Sequence, residues 1–551
     1  MLGPTLIQDY NDFRIGRARD AKYPTPDTSV VCAAPFLSMN FEQNGNVTAC
    51  CYNRTHVLGT YPNDSLSDTW FGRKATELRD ALSAHDLTLG CELCLGQLQS
   101  RNFSGTRMLQ FDHLPAPDPS VPYPRLMEFE LTNVCNLECV MCNGYYSSLI
   151  RKNREHLAPL RSPYDGRFVD QLEPFIPHLA EAKFLGGEPF MIQVYHDIWT
   201  RFQELNPDIT VVVTTNGTIL NERVRSLMDA LDFRFVLSID SVVKETYEAI
   251  RLNADFDVVM ESLHTYLDYL HRKDEPLWMA VCPMRQNWQE LPELVEFCNT
   301  NGIRLIFNTV LYPESCSLRT LPADELDHIL RVYGDRMPAE ATARRPPPPS
   351  AGPAFRPLHV SELHQNLGTF KDLVHQLEQW RDIARDKAVL SRQLAEGKGV
   401  TVLRPSAWYV NTPGGGGAEL ERPDQSDQMM RANLAVPGAE AWEVQVVHEL
   451  PLKHDVRYCF RFRARADASR PIVVAAGYAE SPWTTLGLYE EIALTDAWAT
   501  HEIDFVSTET VDRARLYFGL GAHPQSVEFA DLVLAEGGAS TTAAYERRYR
   551  S

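Results

Sequence analysis

The chain has 551 residues, with 53 Lys and Arg against 73 Asp and Glu, for a formal charge of −20. A nucleic-acid binder meets backbone phosphates with cations, so this balance excludes that class of partner. At 44% hydrophobic and 23% charged residues the chain can bury several cores, and its length predicts about three to five domains. No apolar run approaches the roughly 20 residues of a membrane span. The start MLGPTLIQDYNDF lacks a signal peptide's basic and apolar segments. Both features predict a cytoplasmic protein.

Twelve cysteines are too sparse for a disulfide scaffold, but they cluster. Clustered thiols in a reducing compartment read as metal or iron–sulfur ligands. Residues 1–115 hold Cys32-x12-Gly45-x4-Cys50-Cys51 and then Cys91-x2-Cys94. Gly45 favours a turn between two short strands, which brings Cys32 and Cys50 together. Four thiolates from two separated pairs suit either a 4Fe–4S cluster or structural zinc. Between the pairs, DSLSDTWFGRKATELRDAL reads as one amphipathic helix capped by Ser67 or Asp68. Prolines from Pro115 to Pro124 then form a linker.

Residues 116–325 alternate apolar strands with helical patterns. The strand candidates are LMEFELT, AKFLGG, ITVVVTTNG, FRFVLSID, PLWMAVCPM and IRLIFNTVLY. This pattern predicts parallel βαβ units with a sheet covered on both faces. Each of the first four strands ends in a chemical motif. The first is CNLECVMC, in which Cys135, Cys139 and Cys142 can hold three irons of a 4Fe–4S cube and leave the fourth open. A three-Cys zinc site is the rival reading of that motif alone. Gly186-Gly187-Glu188 follows the second strand, Thr215-Asn216 the third, and Ser238 with Asp240 the fourth. Strand C-termini are where parallel α/β folds bind ligands.

Residues 326–399 open with ARRPPPPSAGP, a stiff spacer, and continue as a long helix from about Ser361 to Glu396. Residues 400–536 include the glycine run Gly414–Gly417 and then alternate strictly, as in VRYCFRFRARA. This predicts an antiparallel sandwich. Residues 537–551 form a tail.

The ordered motifs of residues 125–320 resemble the radical S-adenosylmethionine (SAM) superfamily. The resemblance implies a partial (β/α)6 barrel, with Cys135, Cys139 and Cys142 holding a 4Fe–4S cluster. It also implies a SAM site at Gly186, Gly187, Glu188, Thr215, Asn216, Ser238, Asp240 and Arg251, the last holding the SAM carboxylate. The implied chemistry is reductive cleavage of SAM to a 5′-deoxyadenosyl radical, driven by an electron donor such as flavodoxin or ferredoxin. Residue 141, often aromatic in this superfamily, is Met here.

The N-terminal cysteines resemble the SPASM/twitch auxiliary-cluster domain, set before the barrel instead of after it. That resemblance implies a small α+β domain with one auxiliary 4Fe–4S cluster on Cys32, Cys50, Cys91 and Cys94, with Cys51 as substitute. Residues 400–536 resemble family 4/9 carbohydrate-binding modules, a jelly-roll sandwich, through WEVQVVHELPLKHDVRYCFRFRARAD, YFGLG and FADLVL. Tyr478, Trp483 and Tyr489 are the candidate sugar contacts, and Trp498 is read as core.

The combined expectation is a radical SAM enzyme acting on a saccharide or glycosylated natural product, epimerising or oxidising a carbinol carbon. An epimerase needs a thiol hydrogen donor. Cys316, just beyond the sixth strand, is the first candidate and Cys282 the second, while Cys298 reads as packing. The alternatives are a SPASM-type maturase of ribosomal peptides and a metal-stabilised glycan-binding protein. No nucleic-acid or membrane partner is expected.

Overall fold

The computed structural model describes every residue except 1–2, 22–24, 100, 102, 115–119, 121, 337–359, 397–399, 413–416, 423–428, 439, 480–483 and 540–551. The proline spacer, most of the glycine run, Trp483 and most of the tail therefore lie outside the described residues. The chain forms two compact units: Met1–Leu318 with Val332–Val374, and Arg319–Arg331 with His375–Ser551.

The first unit is built on a nine-stranded sheet. Its N-terminal strands are β1 (Ser38–Phe41), β2 (Asn46–Thr48) and β3 (Gly59–Thr60). Then come β4 (Leu126–Phe129), β5 (Glu181–Phe184), β6 (Thr210–Thr215), β7 (Asp232–Ser238), β8 (Leu277–Val281) and β9 (Ile303–Phe307). The strand order is β3-β2-β1-β4-β5-β6-β7-β8-β9. Strands β4 to β9 are all parallel, the six strands of the partial barrel.

The strands alternate more than their apolar composition suggests. On β7, Phe233, Phe235 and Leu237 are buried while Arg234, Val236 and Ser238 are half-buried. Phe235 stacks on Tyr266 and Phe184 meets Trp199, both from helices on the outer face. The sheet has buried residues on both faces, but its inner face is mixed and polar, as a ligand-bearing lumen requires.

The N-terminal cysteine region shares this sheet. β1 runs parallel to β4, in register from Ser38↔Leu126 to Phe41↔Phe129, and β2 turns back on β1. Gly45 makes that turn with φ +94, where a Cβ would collide with the Tyr61 carbonyl. The single helix read over residues 64–82 is instead two, Leu66–Phe71 and Arg73–Ser83. Gly72 breaks them in an extended conformation, and a Cβ there would strike the Asp68 carbonyl. The cap is Ser65, whose hydroxyl accepts from the Asp68 N–H at 3.0 Å, not Ser67 or Asp68. A helix over Pro4–Ala21 that the sequence pattern did not reveal is tied down by Arg14, which bonds Asp112 at 2.7 Å with both side chains buried.

The far edge of the sheet, β9, is covered by the first part of the long helix Val360–Glu396. Leu367, Phe370 and Leu373 are buried there. The buried Asn366 side chain accepts from the Leu305 N–H and donates to the Ile303 carbonyl, both at 2.8 Å, as a neighbouring strand would.

The second unit carries two packed antiparallel sheets. One holds β10 (Val400–Val402), β12 (Gly417–Glu421), β13 (Met429–Val436), β15 (Val456–Ala466), β18 (Ala499–Val506) and β20 (Val527–Ala539). The other holds β11 (Tyr409–Asn411), β14 (Gln445–Leu452), β16 (Arg470–Tyr478), β17 (Thr485–Leu494) and β19 (Val511–Gly519). Period-two alternation sends Tyr458, Phe460 and Phe462 into the core, against Trp408 and Phe518.

Candidate functional site

The three thiols of CNLECVMC sit on the loop after β4. This loop is held from four sides. The Glu138 and Val140 N–H groups donate to the Leu252 and Ile250 carbonyls at 3.1 and 2.9 Å. Arg154 donates to the Cys139 and Cys142 carbonyls at 3.0 and 3.1 Å. The Cys135 N–H donates to the Ser148 hydroxyl at 3.3 Å. Beneath lie Gly186 and Gly187, at φ +78 and +52, so close that a Cβ on Gly187 would occupy the Val134 carbonyl. Both glycines are therefore needed for the loop to lie on the β5 terminus.

The carboxylate of Glu188 is wholly buried. It accepts from the Thr215 hydroxyl and Asn216 N–H, both at 2.8 Å, and from the Phe190 N–H at 3.2 Å. Burial pushes it up to about 7 against those three donors. Asn216 donates in turn to Asn136 at 3.0 Å, and Asn136 to Thr218 at 2.8 Å. Glu188, Thr215 and Asn216 thus form a bonded girdle beneath the Cys loop. Asn136, Thr218 and Arg154 belong to the same support and carried no motif of their own in the sequence.

Asp240 and Arg251 meet each other. Their ion pair is 2.8 Å long with side chains 0% and 8% exposed. The Asp240 carboxylate also accepts the Cys282 N–H at 2.7 Å, and an Arg251 N–H reaches the Cys139 sulfur at 4.0 Å. Arg251, read from sequence as the carboxylate holder of SAM, is in this structure the partner of Asp240 beside the Cys loop. Ser238 is half-buried on the inner face of β7.

Cys282 and Cys316 come together in one apolar cluster at the strand C-termini. Ile250, Met284 and Val310 share it, with Val140 and Met141 from the Cys loop packed against it. Gln286 reaches the Cys316 sulfur at 3.6 Å. Cys298 is fully buried against Met279, as packing.

The N-terminal thiols converge. Cys32, Cys50, Cys91 and Cys94 line one pocket, closed by Leu78 and Arg107. Cys51 is not among its lining side chains; it faces Arg107, Arg54, Glu128 and Glu130. Burial pushes the Cys50 and Cys91 thiols up to about 12, and Cys135 likewise; Cys142 rises to about 11. Buried thiolates so grouped need a local positive charge, which a bound iron cluster supplies. Both donor sets therefore fit iron–sulfur clusters, three thiols at one site and four at the other.

In the sandwich, Trp498 departs from its expected place in the core. It is half-buried, with the Arg463 and Arg465 guanidinium groups 5.1 and 5.0 Å from its ring. Those arginines occupy the outward positions of β15, so Trp498 lies on the outer face. Tyr478 is half-buried and Tyr489 is 63% exposed. Registers across the other sheet place Tyr409, Val447, Tyr517, Ala475 and Tyr489 in one row. The core takes the alternate residues Trp408, Val446, Leu516, Val474 and Leu488, so the row faces outward. Val447 and Ala475 in this row are nonetheless fully buried. Tyr409 and Tyr517 were not legible as ligand candidates because their alignment exists only once the strands are paired.

Family models match the regions that hold these residues. An iron–sulfur cluster-binding domain model matches residues 32–95, a radical SAM superfamily model residues 129–298, and a carbohydrate binding domain model residues 406–526. A probable GTP 3′,8-cyclase of Methanocaldococcus jannaschii is 26% identical over 181 residues, 32% of this chain and 56% of that protein. An AdoMet-dependent heme synthase of Methanosarcina barkeri is 28% identical over 185 residues, 32% of this chain and 48% of that protein. The chain thus spans about half the length of these curated relatives. Among solved structures, native anSMEcpe with bound AdoMet is 17% identical, with a TM-score of 0.29, over 38% of this chain and 59% of that one. A CBM4 structure is 24% identical, with a TM-score of 0.22, over 24% of this chain and 88% of that one. Among the described residues no helix is long and apolar enough to cross a membrane. The chain thus carries an iron–sulfur cluster-binding SPASM domain, a radical SAM domain and a carbohydrate binding domain, in that order.

Proposed function

We propose that this radical SAM enzyme acts on a saccharide or glycosylated natural product and inverts a carbinol carbon. The observation that carries the reading is the meeting of Cys282 and Cys316 with Val140 and Met141 of the Cys loop in one apolar cluster. Cys135, Cys139 and Cys142 hold the catalytic cluster, and Cys32, Cys50, Cys91 and Cys94 the auxiliary one. When bound, the reduced cluster and SAM together supply a 5′-deoxyadenosyl radical able to take hydrogen from an unactivated C–H bond.

The chain's own residues do the rest. The girdle of Glu188, Thr215, Asn216 and Asn136 fixes the Cys loop on the strand ends. The Asp240–Arg251 pair keeps a balanced charge beside Cys139 and, through the Cys282 N–H, orients the Cys282 segment. Gly186, Gly187 and Ser238 would meet SAM at the strand ends. The apolar cluster keeps water from the reacting carbon. A thiol in it gives its hydrogen to the substrate carbon radical from the opposite face: a C–H bond forms, the S–H bond breaks, and an external one-electron donor with a proton restores the thiol.

The test is anaerobic incubation with SAM, reductant and deuterated sugars, following deuterium into 5′-deoxyadenosine. In D2O the product should carry one solvent deuterium at the inverted carbon, because thiols exchange with solvent. Cys316→Ala or Cys282→Ala should keep SAM cleavage and lose inversion, yielding a ketone or shunt product. If both variants invert at wild-type rates, neither thiol is the donor and oxidation of the carbinol becomes the better reading.

The saccharide assignment draws on the sandwich. Aromatic rings pack on the C–H faces of sugars, and the row from Tyr409 through Tyr517 to Tyr489 offers such rings on one outward face. Tyr489→Ala in the full chain should weaken oligosaccharide binding by roughly three- to ten-fold in titration calorimetry. Trp498→Ala, whose ring is occupied by two arginines, should leave it unchanged. No affinity for any of a broad glycan panel would reduce the sandwich to an assembly element.

A further inference from the structure

The inner face of the sheet carries a buried polar cluster that none of the assignments above uses. Asn40, Glu128 and Lys183 stand in one row across β1, β4 and β5. Glu128 pairs with Arg107 at 3.0 Å and with Lys183 at 3.6 Å, and Lys183 with Glu181 at 3.1 Å, which His113 also meets at 3.1 Å. Further along, Arg54 lies 3.6 Å from Glu42 and 3.5 Å from Glu130, and Gln43 donates to Glu130 at 3.4 Å. Tyr145 and Tyr146 of the Cys loop adjoin Glu130 and Arg54, and Tyr146 also adjoins Cys142. The cluster therefore extends from Cys51 beside the auxiliary thiols to the radical SAM loop.

Its hydrogen bonds do not close. The Glu42 Oε1, Gln43 Oε1 and Glu128 Oε2 atoms are buried without a hydrogen-bond partner, in residues 4%, 5% and 1% exposed. The Arg107 Nε is the one donor of the cluster, among the described residues, in the same condition. Buried acceptors left unmatched are costly, so such groups are ordinarily bonded. Three acceptors against one donor call for a guest that brings N–H and O–H groups. Two of the three unmatched acceptors, on Glu42 and Glu128, are carboxylate oxygens. The Arg54 and Tyr146 side chains at its margin are partly exposed.

We propose that this cluster binds the polar end of the substrate, and that this end is a polyhydroxyl group bearing an ammonium and no anionic substituent. The inference rests on the saccharide reading above and narrows it to amino sugars and aminated cyclic polyols. Phosphorylated and nucleotide-linked sugars are excluded, since a phosphate would meet unmatched carboxylate oxygens.

The experiment is calorimetric titration of the full chain, clusters reconstituted and SAM present, with glucosamine and with glucose 6-phosphate. A Tyr489→Ala background weakens binding by the tyrosine row, so that the response to the Glu42 and Gln43 variants reports this cluster. Glucosamine should bind at least about ten-fold more tightly than glucose 6-phosphate. The isosteric Glu42→Gln and the unrelated Gln43→Leu should each weaken glucosamine by about ten-fold. Equal or tighter binding of the phosphate, no binding of glucosamine, or an unchanged glucosamine affinity in either variant overturns the proposal. The readout needs no turnover. A chain that binds glucosamine through Glu42 yet passes no deuterium from any sugar to 5′-deoxyadenosine refutes the reaction alone; deuterium transfer with failed titrations refutes this site alone.

Discussion

Cys139→Ala should leave about four of about eight irons in the anaerobically reconstituted protein, and reductive cleavage of SAM should fall below detection. Cys139 is the buried thiol of its loop, with Arg251 at 4.0 Å from the sulfur and Arg154 on its carbonyl. Losing it leaves two thiols where a cube with one open iron needs three. Cys91→Ala should also remove about four irons, but some uncoupled SAM cleavage should persist, because the pocket of Cys32, Cys50, Cys91 and Cys94 is separate from the CNLECVMC loop. Iron and sulfide analysis with electron paramagnetic resonance separates the two clusters. Zinc in the N-terminal pocket of the wild type would overturn the auxiliary-cluster assignment.

Removing one partner of the Asp240–Arg251 pair should cost about 3–5 kcal/mol, since it strands a buried charge. Both side chains are nearly sealed from solvent, so screening offers no relief. Asp240→Ala and Arg251→Ala should each lower the urea midpoint of the first unit and leave the sandwich transition in place. The double variant Asp240→Leu with Arg251→Met should recover most of the loss, because an apolar pair of similar volume needs no counter-charge. It should nonetheless stay inactive, since Cys139 loses its charged neighbour. Losses that simply add in the double variant would show that the two residues are not coupled.

Much of this architecture was legible before any coordinates. Six apolar strands, the first four ending in the Cys, Gly-Gly-Glu, Thr-Asn and Ser238/Asp240 motifs, announce a partial barrel, because strand and motif are contiguous in sequence. The same holds for Tyr458, Phe460 and Phe462, whose period-two spacing fixes their face. Illegible features depend on pairing between distant segments. β1 joins β4 across some eighty residues, so the cysteine region reads as a separate body although it extends the sheet. Trp498 follows a loop and looks like core until β15 places Arg463 and Arg465 over its ring. Gly72 splits a helix whose apolar spacing runs on without a break. At the site, Gly186, Gly187, Glu188, Asn216 and Arg251 lie against the Cys loop, yet several motif residues bond to one another, as Arg251 does to Asp240. Spacing reports proximity, while partnership is decided by burial and geometry.

The Asn366 amide on the rim of β9 bears on what the enzyme can hold. Extended peptides commonly bind by adding a strand to a free sheet edge, where main-chain hydrogen bonds supply affinity. Here the Leu305 N–H and Ile303 carbonyl that would template such a strand are already bonded to Asn366. The opposite edge, β3, is only two residues long. Among the described residues, both margins of the barrel sheet therefore offer little template for an incoming backbone. This arrangement is in keeping with the saccharide substrate proposed above.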